Sequence, residues 1–147
     1  MSTTLSIGVD PGKSGAIAFI SHPMGDVWCV NADETLHDIA DELRTALANH
    51  DSSFAVIEKV QSSPQMGVKS AFSFGQSFGS LLGLLAALQV PHELVSPQKW
   101  QKAMCCLTGG DKNKTKSRAQ QLFPHMKVTH ATADALLLAK FCGREFS

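Results

Sequence analysis

The sequence predicts an α/β fold: a central mixed five-stranded sheet, with strands one to three antiparallel, the later strands parallel, and helices on both faces. Three observations predict it. Three short apolar runs crowd the start of the chain, with only turn residues between them. A segment with apolar residues every three or four positions follows. After that, short apolar runs alternate with helical ones, so each later strand is reached by a crossover and lies parallel to its predecessor. At 147 residues the chain is expected to form one domain, residues 1–147, with length enough for a core.

The first two strands lie in Leu5–Phe19. Leu5-Ser6-Ile7-Gly8-Val9 runs into Asp10, the chain breaks at Pro11-Gly12, and Ala16-Ile17-Ala18-Phe19 resumes as the return strand of a hairpin. Asp10 therefore leaves a rigid element. It is either a turn residue bonding its own backbone or a carboxylate delivered to a site. Met24-Gly25-Asp26 turns the chain into a third strand, Val27–Val30. From Asp33 to His50 the apolar residues Leu36, Ile39, Ala40, Leu43, Ala46 and Leu47 keep helical spacing. Phe54-Ala55-Val56-Ile57-Glu58 is too short for a helix and reads as a buried strand, again ending in an acid. Gln61–Gly67 is a loop.

A long helix is predicted from Lys69 to Gln89. Gly75, Gly79 and Gly83 fall at every fourth position, beside Ser73, Ser77 and Ser80. Glycine costs about 1 kcal/mol against alanine inside a helix, so the stripe needs a reason. Close backbone approach supplies one, either to the chain's own sheet or to the same helix of a second subunit. Pro91–Val95 is the fifth strand. Ser96-Pro97 starts a helix as N-cap and first helical residue. Thr108–Asp111 breaks it, and the basic stretch Lys112–Arg118 leads into a short helix ending near Phe123-Pro124. The last helix spans Ala131 to Cys142, with Asp134 in its first turn.

Thirteen basic and 13 acidic residues cancel, which argues mildly against a coat for nucleic acid but leaves room for a local patch. Such a patch exists. Lys99, Lys102, Lys112, Lys114, Lys116 and Arg118 are accompanied by a single acid, Asp111. Clusters of this kind bind phosphates, with affinity that falls steeply with salt; the plainer reading is a solvated surface loop. Lys13 stands in the hairpin beside Asp10. Cys29, Cys105, Cys106 and Cys142 form neither a disulfide framework nor a zinc spacing, so reduced, idle thiols are expected. No apolar run is long enough to span a membrane, and no charged-then-apolar leader precedes the first strand. An intracellular, cytoplasmic protein is expected. Trp28 and Trp100 read as packing residues.

The acids carry the chemistry. Asp10 and Glu58 end strands that share one end of the sheet if they are neighbours, and the last helix can bring Asp134 to them. Clustered carboxylates repel unless cations lie between them, and oxygen donors with open positions suit Mg²⁺ or Mn²⁺. Two such ions, roughly 3.5–4 Å apart, clamp the attacking and leaving oxygens of a phosphodiester. His130 lies one helical turn before Asp134 and is a further candidate ligand or proton shuttle.

Taken in order, Ile7-Gly8-Val9-Asp10-Pro11-Gly12, Ile57-Glu58, the helix from Lys69-Ser70-Ala71-Phe72-Ser73-Phe74-Gly75 to Gln76-Ser77-Phe78-Gly79, and Ala133-Asp134-Ala135-Leu136 resemble the RuvC-type Holliday junction resolvases of the RNase H-like superfamily. The resemblance covers nearly the whole chain, and its length is most like phage or prophage members. It implies a Mg²⁺-dependent homodimer, in a bacterial or phage-infected cell, that nicks four-way DNA junctions symmetrically. In that family the long helix helps form the dimer seam. Asp10, Glu58 and Asp134 match its metal-binding acids. The family's fourth ligand position is Ala131 here, one residue beyond His130. The position that carries an aromatic wedge in some members is Gln61. Phe72 and Phe74 are nearby, at spacing that suits core packing. Two lysines matter in the family's basic region, and Lys102 with Lys112 or Lys114 occupy it here. Ser62 and Ser63 follow Glu58 and are candidates to line the DNA path. Three other readings stand beside this one. The first is a superfamily nuclease acting on flaps, RNA–DNA hybrids or RNA. The second is an ATP-binding lobe like those of actin-like ATPases and sugar kinases. The third is a DNA-binding relative without activity.

Overall fold

The computed structural model describes residues 2–59 and 63–146. Among them, β1 (Thr4–Asp10), β2 (Ala16–His22), β3 (Val27–Asn31), β4 (Ser52–Glu58) and β5 (His92–Val95) form one sheet in the order β3-β2-β1-β4-β5. The β1–β2 and β2–β3 pairs are antiparallel, and β1–β4 and β4–β5 are parallel, as the element order predicts. The helices are α1 (Leu36–Ala48), α2 (Val68–Ala87), α3 (Pro97–Ala103), α4 (Lys112–Leu122) and α5 (His130–Phe146).

Side chains alternate across a strand, and that alternation divides the core. Leu5, Ile7, Val9, Ile17, Phe19, Ala55 and Ile57 point to one face, where Ile39, Leu43, Leu81 and Leu85 of α1 and α2 cover them. Ala16, Ala18, Ile20 and Val56 point to the other, beneath α5 and residues of α3 and α4. Asp10 and Glu58 stand in step with Gly8 and Val56, so they belong to the α5 face. Val9 pairs with Ile57, which sets the two acids side by side at one end of the sheet.

Gly8 decides how close α5 comes. A Cβ there would lie 2.3 Å from the Ala135 carbonyl oxygen and 2.3 Å from the Ala139 nitrogen. Only a residue without a side chain lets the helix backbone rest on β1. α5 is consequently the most enclosed helix: Ala135, Leu136, Leu137, Leu138 and Ala139 are fully buried. Its start is set by Thr129, whose hydroxyl accepts from the Thr132 N–H at 3.2 Å.

Three expectations need correcting. The basic stretch is not a lead-in but is itself helix α4, because Asp111 caps it by accepting from the Asn113 N–H at 3.0 Å. Phe72 is 74 % exposed and so is no core residue; the period of α2 places it on the outer face. Phe74 lies against Gly12, in the hairpin turn. Cys105 is exposed, whereas Cys106 and Cys142 are buried; burial lifts the Cys142 thiol to about 11.

The glycine stripe resolves one of its two readings. Nothing lies within 4 Å of a Cβ built on Gly75, Gly79 or Gly83, so these residues do not serve packing on the chain's own sheet. With Val68 at 88 % and Phe72 at 74 % exposure they form an outward face. No helix among the described residues is long and apolar enough to cross a membrane. Gln61 and Ser62 fall outside the described residues; Ser63, which is exposed, lies within them.

Candidate active site

Three elements deliver three acids to one open cavity of about 570 Å³. Asp10 comes from the last position of β1, Glu58 from the last position of β4, and Asp134 from the first turns of α5. His130, Lys13 and Lys112 line the same cavity, as do the hairpin turn, Phe74 and Thr115. The turn is held in place by α2: the Gly12 N–H donates to the Ser77 hydroxyl at 3.2 Å. Gly12 itself has φ +107, which a side chain would disfavour.

The electrostatics are those of crowded, poorly solvated carboxylates. Burial pushes Asp10 well above the usual carboxylate range, Asp134 and then Glu58 push it further, and Lys112 offsets part of this. Burial also raises Glu58, against a hydrogen bond from Trp100, with Asp134 adding repulsion. Asp134 is raised by burial, while the Thr115 hydroxyl, Lys112 and His130 hold it down. The negative form of each acid is thus disfavoured by burial, and for Asp10 and Glu58 by neighbouring acids as well. A cation among them would reverse that.

The donor set fits such a cation. Three carboxylates supply hard oxygens, which suit Mg²⁺ or Mn²⁺; the imidazole of His130 stands at the rim of the same cavity. Among the described residues, no group of three His, Cys, Asp or Glu side chains already stands in position to hold one ion. The acids line an open cavity.

The basic candidates do not form one patch. Lys13 and Lys112 line the cavity of the acids, and Lys112 acts on the charge of Asp10 and Asp134. Lys114 and Arg118 line a separate cavity on another face of α4, together with Cys105 and Cys106. Arg118 is partly committed to structure, donating from Nε to the Met104 carbonyl at 2.8 Å and from Nη1 to Gln121 at 3.3 Å. Lys99 and Lys102 are exposed on α3, and Lys116 is half-buried on α4.

Sequence reasoning missed two polar partners of the acids. Thr115 is only 4 % exposed, and its single hydroxyl proton is shared between the Lys112 carbonyl, 3.1 Å away, and the Asp134 carboxylate. Trp100 is fully buried, and its indole N–H donates to Glu58 Oε2 at 2.7 Å. The available signal was that a buried indole N–H needs an acceptor, and β5 leads α3 back to the strand that ends in Glu58.

No protein-family model matches the chain, and no curated protein matches it by sequence. Solved structures do match. RuvC of Thermus thermophilus in complex with a Holliday junction substrate is similar over 99 % of this chain and 97 % of that one, with TM-score 0.63 and 16 % identity. Another Thermus thermophilus RuvC structure gives TM-score 0.55 and 16 % identity over 97 % of this chain and 95 % of that one. The yeast mitochondrial Holliday junction resolvase gives TM-score 0.51 and 13 % identity over 97 % and 86 %. The chain therefore has the RuvC-type fold, a mixed α/β sheet of the RNase H-like kind.

Proposed function

We propose that this chain is a divalent-metal-dependent endonuclease that resolves four-way DNA junctions by paired nicks. The observation that carries the proposal is the meeting of Asp10, Glu58 and Asp134 in one open cavity, from two strand ends and a helix. A fold shared with a resolvase solved on a junction supports the choice of substrate.

In this reading Asp10, Glu58 and Asp134 would hold two Mg²⁺ or Mn²⁺ ions, which supply Lewis-acid stabilisation of a phosphodiester being hydrolysed. Asp10, whose charge is disfavoured by both other acids, would be the ligand shared between the two ions. Lys112 and Lys13 offset the charge of the scissile phosphate at the cavity mouth. His130, exposed at the first position of α5, is placed to carry a proton between the cavity and solvent. Lys99, Lys102, Lys114, Lys116 and the free edge of Arg118 meet flanking phosphates, which positions the duplex arms without reading sequence.

Paired nicks need two active sites, and the outer face of α2 provides the seam. Val68, Phe72, Gly75, Gly79 and Gly83 recur at helical spacing on it, and Lys69 is the sole charged residue in α2. Two copies can pack this face on itself about a two-fold axis, the glycines letting the helices approach closely.

The test uses labelled four-way junction, flap, RNA–DNA hybrid and linear duplex, each with Mg²⁺ and with EDTA. Mg²⁺-dependent paired nicks across the junction are expected. Cutting of the hybrid or flap alone would reassign the substrate within the superfamily. ATP hydrolysis without nicking would contradict the proposal.

A further inference from the structure

Trp100 occupies an unusual position for a core side chain. It is 0 % exposed and belongs to the cluster beneath α5, yet its one polar atom reaches out of that cluster to Glu58 Oε2, at 2.7 Å. The geometry behind this contact is stiff. Glu58 is paired with Val95 across the β4–β5 ladder, and the Lys59 N–H donates to the Val95 carbonyl at 2.8 Å. Ser96 follows at once and caps α3, accepting from the Lys99 N–H at 3.3 Å, with Pro97 at the helix start. Trp100 is thus fixed to Glu58 through a few ordered residues, with little freedom to part from it.

The chemistry of the partner matters. An indole N–H is a donor only and carries no charge. It can hold a carboxylate oxygen without offering a positive charge that would repel a cation, as a lysine or arginine would. It engages one oxygen of Glu58 and leaves the other for the cavity shared with Asp10 and Asp134. We propose that Trp100 is a positioning residue: its indole N–H fixes the plane of the Glu58 carboxylate so that the second oxygen is presented to a divalent cation. This rests on the nuclease reading given above and adds the residue that sets its ligand geometry.

The test replaces Trp100 by Phe and, separately, by 3-benzothienylalanine, which keeps the bicyclic shape but has sulfur in place of the N–H. Thermal unfolding checks that the core is intact, which the second variant secures even if the first does not fold. Mn²⁺ binding to the DNA-free protein is followed by electron paramagnetic resonance of the free ion, and junction nicking is titrated with Mg²⁺. The expected result is Mn²⁺ affinity about tenfold weaker, in the range found when partners of metal ligands are removed. Nicking should need correspondingly more Mg²⁺ and recover at saturation. A purely structural tryptophan would leave the isosteric variant with wild-type affinity, and that result would overturn the inference alone. A wild-type protein that binds no Mn²⁺ would end the nuclease reading and this inference together.

Discussion

Gly8, in strand β1 facing α5, and Gly79, on helix α2 across the sheet, are the same residue type, and their surroundings could hardly differ more. At Gly8 the backbone of α5 lies so close that a single added carbon would strike two of its atoms at 2.3 Å. At Gly79, and at Gly75 and Gly83, an added carbon would meet nothing within 4 Å. The contrast separates two uses of glycine. The first completes the cavity inside one chain, because the approach of α5 to β1 is what carries Asp134 to Asp10. The second leaves a helix face unfinished, which is the property expected of a surface that awaits a second copy.

The contrast can be broken by experiment. Gly8→Ala should be the most damaging change, destabilising by about 3 kcal/mol or more, since the carbon meets backbone that cannot rotate away; urea unfolding measures it. A mild effect there would mean that α5 is free to lift, and the cavity would lose its account. Gly79→Arg should leave the monomer folded but weaken self-association at least tenfold, roughly 1.4 kcal/mol, by setting like charges across the seam. Sedimentation equilibrium reads this directly, and an unchanged oligomer would move the interface elsewhere.

The acids supply the next effect. For Asp10, Glu58 and Asp134 the folded-state pKa lies above the ordinary carboxylate value, chiefly through burial. Between the ordinary and the raised values the folded chain holds more protons than the unfolded one. Stability of the metal-free protein should therefore be highest at the acid end of that window, fall as pH rises through it, and remain lowered above it. Asp10→Asn removes part of this penalty. It should raise the metal-free Tm at neutral pH by a few degrees, the size of an effect of about 1 kcal/mol in a chain of this length. A lowered Tm would show that Asp10 is held by favourable contacts instead of strained against its neighbours. Gly79→Ala is the smallest change. It should stabilise the dilute monomer by up to about 1 kcal/mol through helix propensity, opposite in sign to Gly8→Ala.

Much of this arrangement was legible because it depends on short-range rules. Short apolar runs ending in Asp10 and Glu58, and the three-and-four spacing of α1, name their own elements. The crossovers made the later strands parallel, but the two acids meet only because β1 and β4 turn out to be neighbours in the sheet. What was not legible depends on which surface a side chain meets. Phe72 and Phe74 have core-like spacing, yet α2 turns Phe72 outward and sets Phe74 against the hairpin turn. The glycine stripe fitted two partners equally until the space beside it was seen to be open. The basic segment looked like one patch, but a helix sends successive residues to different sides, so Lys112 joins the acids while Lys114 and Arg118 line another cavity. Trp100 has the sequence signature of a packing residue. It does pack, and its N–H reaches Glu58 only because β5 brings α3 back beside β4.

The account stands most directly on cleavage of a labelled four-way junction by wild-type protein and Asp10→Asn in Mg²⁺, with junction binding measured on the same samples. The prediction is that the variant binds the junction as the wild type does and makes no nicks. Wild-type nicking by Asp10→Asn would contradict it, and the three acids would have to be read as something other than one catalytic centre.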